Sequence, residues 1–136
     1  MASSFDIQNL EDHRQSESLI RFQGQKQIPL SIFVAEFTAG DGPPLHTHPY
    51  PELFLIERGP VLFTVGQETI EIEAGNLVTV AANTEHRFQG VNKEPCRVIS
   101  VHPSGQVSQD NLGSASWTTL AASLGSQPFP WAFFWR

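Results

Sequence analysis

The chain has 136 residues, 40% of them hydrophobic, and a formal net charge of −6. That fits one globular domain with a modest core. Eight basic residues against 14 acidic, with no basic run, argue against a general nucleic-acid or anionic-membrane surface.

The N-terminal arm, residues 1–27, is polar. Its opening "MASSFDIQNLEDHR" has no apolar signal core. No apolar run in the chain reaches the roughly 18 residues of a membrane span. A soluble, cytoplasmic protein is therefore expected. "SLIRF" (18–22) is one candidate strand in this arm, and His13 is expected to be solvated.

Residues 28–103 read as successive short strands. "LSIFVAEF" (30–37) is broken by "TAGDGPPL", and "ELFLIERG" (52–59) is closed by Gly59 and Pro60. "VLFTV" (61–65) turns through "GQ" into "ETIEIE" (68–73), and the Thr, Val, Ile and Glu alternation there predicts one buried face. "LVTVA" (77–81), "HRFQGV" (86–91) and "CRVISVH" (96–102) complete the series. Short strands at spacings near ten residues, parted by turn residues, predict an all-β sandwich or barrel. Cys96 is the only cysteine, so no intrachain disulfide can form. It reads as a small buried hydrophobe. In "ELFLIE" both strand faces are apolar. Leu53 and Leu55 therefore need a cover, from the C-terminal tail or from a second subunit in a homodimer.

Residues 104–136 differ in kind. From Asn111 to Trp135 there is no Asp, Glu, Lys or Arg, and all three tryptophans lie there. Ser116 can cap a short helix with Trp117, Leu120, Ala121 and Leu124 on one face, ended by Gly125. The aromatic "PFPWAFFWR" is expected to pack on the barrel or on a partner subunit.

The chemistry concentrates in "HTHPYPELF" (46–54). In extended chain His46 and His48 point to the same face, so two imidazoles can reach one ion. Pro44 and Pro49 favour that extended form for their neighbours. Glu52 opens an apolar strand, where a carboxylate needs a cation or hydrogen-bond partners. His86 begins a later strand. A strand of the facing sheet is expected to carry it across the interior to the other three. Three imidazoles and a carboxylate suit one divalent transition metal (Fe, Mn, Ni, Cu, Co or Zn) better than Ca or Mg.

These residues resemble the cupin superfamily. "GDGPPLHTHPYPELFLIERG" matches every specified position of its first motif, from Gly40 through His46, His48 and Glu52 to Gly59. "GNLVTVAANTEHRFQG" keeps Gly75 and His86 of the second motif. It has Ala81 for the expected proline, Asn83 for the second glycine and Gly90 for the final asparagine. Asn83 is a mild change, because asparagine tolerates a left-handed turn. The resemblance covers roughly residues 28–102. It implies a double-stranded β-helix, or jelly-roll barrel, with a metal held by His46, His48, Glu52 and His86.

Around that set, Tyr50 either lines the entrance or caps the turn. Phe54 and Phe88 follow ligands by two residues and are candidate pocket residues, with Phe33 and Phe63 more often core. Glu36 is expected to face outward, and His102 to sit at a strand end on the rim. The expected function is a metal-dependent enzyme acting on a small organic molecule. The resemblance implies dioxygenase-like chemistry, as in quercetinase-like cupins, or a cyclase or isomerase type. The alternative is a non-catalytic small-ligand binding or sensing module. No DNA-binding helix pair is evident, and no catalytic acid or base outside the metal set can be named.

Overall fold

A computed structural model describes residues 4–112. Nearly all of its regular structure is strand: β1 (Arg14–Ser16), β2 (Leu19–Gln23), β3 (Ser31–Phe37), β4 (His46–Thr47), β5 (Glu52–Arg58), β6 (Val61–Val65), β7 (Glu68–Ile72), β8 (Leu77–Val80), β9 (His86–Gly90), β10 (Cys96–His102) and β11 (Asp110–Asn111). A single 3-10 turn, Leu10–His13, precedes β1, and the Asn9 side chain caps it by accepting from Glu11 N. All eight strands expected from the sequence are present. The two-residue strands β4 and β11 and the short β1 gave no local signal. The C-terminal helix expected from Ser116 to Gly125, and the aromatic tail, lie outside the described residues.

The strands form two antiparallel sheets, in the orders β1-β2-β3-β10-β5-β8 and β11-β4-β9-β6-β7. This is a double-stranded β-helix. Side chains alternate across each strand, so every second residue enters the space between the sheets. On β10 the inward set is Cys96, Val98, Ser100 and His102. β3 contributes Phe33, Ala35 and Phe37, in register opposite Ser100, Val98 and Cys96. β5 contributes Glu52, Phe54 and Ile56 from the other side of β10. From the facing sheet come Val61 and Phe63 of β6, with Phe88 of β9 paired to Phe63. Aromatic rings lock the centre: Phe63 stacks on Phe88 at 5.1 Å, and Phe54 meets both edge-on.

Three details adjust the sequence reading. The alternation of β7 does not bury one face: Ile70 is 58% exposed, because β7 is an edge strand with β6 as its single lateral neighbour. β2 pairs with β3 and so belongs to the barrel sheet rather than to a detached arm. On the outer face of β5, Leu55 is 37% exposed beside its register partner Leu77, at 64%. The cover expected there, tail or second subunit, is not among the described residues.

Two departures from the second cupin motif also have structural reasons. Asn83 has φ 60°, the left-handed turn that asparagine tolerates. Gly90 lies where a Cβ would stand 2.4 Å from Thr38 O, so no side chain fits there. That close approach carries a parallel bridge between Gly90 and Ala39.

Of three further residues, Glu36 and Cys96 lie as expected, whereas His13, expected to be solvated, does not. Glu36 faces outward and pairs with Arg58 at 2.6 Å and Arg97 at 2.8 Å. Cys96 is buried, its thiol donating to Phe37 O, and burial pushes its pKa up to about 11. That is the state of an inert thiol. His13 is only half-buried, edge-on to Phe22 and hydrogen-bonded to Gln8.

Candidate metal centre

One end of the barrel interior is lined by imidazoles. His46 on β4 pairs in register with His86 on β9, so the two rings lie side by side, with centroids 4.2 Å apart. His48 follows two residues on and shares their face; its ring is 4.9 Å from His46 and 5.5 Å from His86. Glu52 opens β5 in the other sheet. The geometry expected from the sequence is thus partly inverted. His86 does not cross the interior to reach His46, because both belong to one sheet. Glu52 is the residue that crosses. A backbone bond from Asn83 N to His48 O, 2.7 Å, ties the turn before β9 to the first motif.

All four side chains are buried, and one potential ligand atom from each lies within 4.8 Å of the others. The hydrogen bonds behind them show what those atoms are. His46 Nδ1 donates to Pro44 O at 2.6 Å, His48 Nδ1 to Ser108 O at 2.7 Å and His86 Nδ1 to Thr84 O at 2.8 Å. A carbonyl can only accept, so each Nδ1 carries the proton. Each ring therefore turns its Nε2 inward. Glu52 Oε1 meets two of them, 3.1 Å from His48 Nε2 and 3.1 Å from His86 Nε2. His48 Nε2 is buried with no hydrogen-bond partner.

This is a cluster of acceptors around a carboxylate. Burial, with His86 and His48 beside it, lowers the His46 pKa to about 3, so that ring does not supply the missing proton near neutral pH. A cation would satisfy such an arrangement. Three imidazole nitrogens with protons fixed on the far side, plus one carboxylate oxygen, fit a first-row transition metal.

His102, expected at the rim, lies inside. It is 1% exposed, with Nε2 3.2 Å from Glu52 Oε2 and 3.3 Å from Ser100 Oγ. Burial, and His48 and His86 nearby, lower its pKa to about 4. The signal was in the sequence: the alternation of β10 that buries Cys96, Val98 and Ser100 also buries His102. Tyr50 packs against both His48 and His102. Its ring stacks on His48 at 5.1 Å, and its hydroxyl contacts His102 Nδ1 at 2.9 Å.

A cavity of about 10 Å³ opens beside the ligand set, room for roughly one water-sized particle. Phe33, Ala35, Phe88 and Val98 form its apolar wall. Of the phenylalanines that could line a pocket, Phe33 and Phe88 reach it. Phe54 is fully buried beneath, edge-on to His86 and Phe63. Gln109, for which the sequence gave no signal, also borders the cavity, and its buried Oε1 has no hydrogen-bond partner among the described residues.

Comparison with known proteins agrees with this architecture. The cupin domain family matches residues 33–102. The chain belongs to the cupin family. An uncharacterised protein of Streptomyces coelicolor is 26% identical to this cupin over 98 residues, 72% of this chain and 92% of its own. A Klebsiella pneumoniae protein with a double-stranded β-helix domain is similar in structure, with a TM-score of 0.64 and 17% identity, over 82% of this chain and all of its own. A mutant of Bacillus subtilis oxalate decarboxylase reaches a TM-score of 0.66 at 16% identity, over 86% of this chain. This cupin spans only 36% of that decarboxylase chain, which contains Mn(II) centres. At such identities the structural likeness shows the fold. Among the described residues no helix is long and apolar enough to cross a membrane.

Proposed function

We propose that this cupin is a metal-dependent enzyme for a small organic substrate, with one divalent transition metal held by His46, His48, Glu52 and His86. The observation that carries this reading is the direction of the protons. Three Nδ1–H groups point at backbone carbonyls, which leaves three Nε2 atoms facing inward, two of them 3.1 Å from one carboxylate oxygen. Without a cation such a cluster is costly to bury. A bound metal would supply Lewis acidity or redox capacity at its remaining coordination positions.

The chain's own residues set the rest. The apolar wall keeps bulk water out and strengthens every charge interaction inside. The cavity is small, so a substrate reaches the ligand set through a small group rather than with its whole body. Gln109 Oε1 is an unclaimed acceptor for a substrate hydroxyl or acid proton at that wall. The Mn(II) of the decarboxylase relative supports redox or carboxylate chemistry among the options, with cyclisation or isomerisation as the other branch.

The first test is metal analysis of untagged protein, which should find about one first-row transition metal per chain, with thermal stability lost on chelation. No metal, and no change with chelator, would sink the proposal. Oxygen uptake is then measured with small organic acids, phenols and enolisable ketones. Uptake assigns oxygenase chemistry. Product without uptake assigns decarboxylation, cyclisation or isomerisation. Tight binding with no turnover assigns the sensing module instead.

A further inference from the structure

Glu52 has two oxygens in different surroundings. Oε1 faces His48 and His86, while Oε2 faces His102 Nε2 at 3.2 Å. His102 Nε2 also lies 3.3 Å from Ser100 Oγ, and its Nδ1 faces a hydroxyl instead of the carbonyls that hold the Nδ1 protons of the other three rings, which leaves the proton free to sit on Nε2, toward Oε2. Its Nδ1 is then a lone pair, and the Tyr50 hydroxyl donates to it at 2.9 Å. The Tyr50 oxygen in turn accepts a long hydrogen bond, 3.4 Å, from Ser108 N. Ser108 also offers its carbonyl to His48 Nδ1.

The contacts form one directed path. It runs from His48 to Ser108, through the Ser108 amide to Tyr50, on to His102, and ends on Glu52. Two proposed ligands are thereby linked through three residues that are not ligands. His102 holds the opposite tautomer from His46, His48 and His86. It is therefore built to donate to Glu52 and not to coordinate.

We infer that His102 and Tyr50 are positioning residues that occupy Glu52 Oε2 and so hold Glu52 to the metal through Oε1 alone. This rests on the metal reading above. A carboxylate free at both oxygens can bind a metal with both. Tying up Oε2 prevents that and leaves a coordination position for substrate. It also fixes the carboxylate orientation, as partners behind metal ligands commonly do.

The test uses the full chain loaded with Co(II), whose visible absorption weakens as coordination number rises. Affinity is read by chelator competition. His102→Leu removes the donor. It should weaken Co(II) binding about tenfold or more and lower the visible bands. His102→Gln returns an N–H near Oε2 and should restore most of both. Tyr50→Phe keeps the ring over His48 while freeing the His102 tautomer, and should fall between.

A folded His102→Leu with the wild-type spectrum and affinity would overturn the inference, as would a Gln variant no better than Leu. Should His102→Leu not fold, Tyr50→Phe decides: an unchanged spectrum and affinity overturns it. Failure of the wild-type chain to take up Co(II) is a separate result, and it overturns the metal reading itself.

Discussion

The same strands build two unlike halves of one barrel interior. Along β10 the inward residues run from Cys96 and Val98 to Ser100 and His102; along β5 they run from Ile56 and Phe54 to Glu52. β9 changes from Phe88 to His86 within two positions. One half is packed with phenylalanine and aliphatic side chains. The other buries four imidazoles and a carboxylate. Burial of apolar area drives folding, whereas burial of polar groups opposes it unless they are paired. The apolar half therefore stabilises the barrel, and the polar half uses that stability to hold an arrangement that would not persist by itself.

The largest effect should come from breaking the apolar half. Phe63 is fully buried against Phe54 and Phe88. Phe63→Ala should cost about 3–5 kcal/mol, read as a lower denaturation midpoint. Metal binding should weaken only to the extent that the chain unfolds. Glu52→Gln attacks the other half and should do the reverse. The amide keeps the shape and brings a donor to the Nε2 lone pairs. The metal-free variant should be at least as stable as the metal-free parent, with metal affinity lowered about 100-fold or more. A metal-free Glu52→Gln protein that is markedly less stable would show that the cluster is self-sufficient and needs no cation.

Much of this division is legible in the sequence, and the remainder has a common cause. Short apolar runs parted by turn residues locate β3, β5, β6, β8, β9 and β10, because each strand has an inward face to bury. The spacing of His46, His48 and Glu52 is local, so the ligands can be read directly. What depends on distant partners cannot be read in this way. β4 exists through its pairing with His86, and the His48 proton is set by a carbonyl 60 residues away. Which sheet carries which ligand follows from strand order, not from any motif. Gly90 departs from the second motif because Thr38, far away in the sequence, stands against it. His102 is different: it closes the inward-facing alternation of β10, so its burial is legible in the strand itself.

A smaller effect comes from pH. Unfolded His46 and His102 take up protons near 6.5, while the buried rings do so only at about 3 and about 4. Below pH 6.5 the unfolded chain thus binds more protons, and stability of the metal-free protein falls as pH drops. The slope approaches about 1.4 kcal/mol per pH unit for each ring. Denaturant melts of the metal-free chain between pH 8 and pH 4 measure this. Phe63→Ala should shift the whole curve without changing its slope, because that half carries no titrating group. A flat profile would mean that the rings are not buried in their neutral form.

The smallest effect separates packing from backbone as the means of holding the site. Asn83 is left-handed at φ 60°, and its N–H donates to His48 O. Glycine adopts that conformation freely but loses more entropy on folding. Asn83→Gly should therefore change stability by no more than about 0.5 kcal/mol and leave metal affinity unaltered. Alanine keeps the amide but pays the left-handed penalty, so Asn83→Ala should cost about 1–2 kcal/mol. If this turn supports the ligands, that cost should appear in metal affinity as well as in melting. A loss confined to melting would mean that the imidazoles are held by their Nδ1 bonds alone, independently of the turn that joins the two motifs.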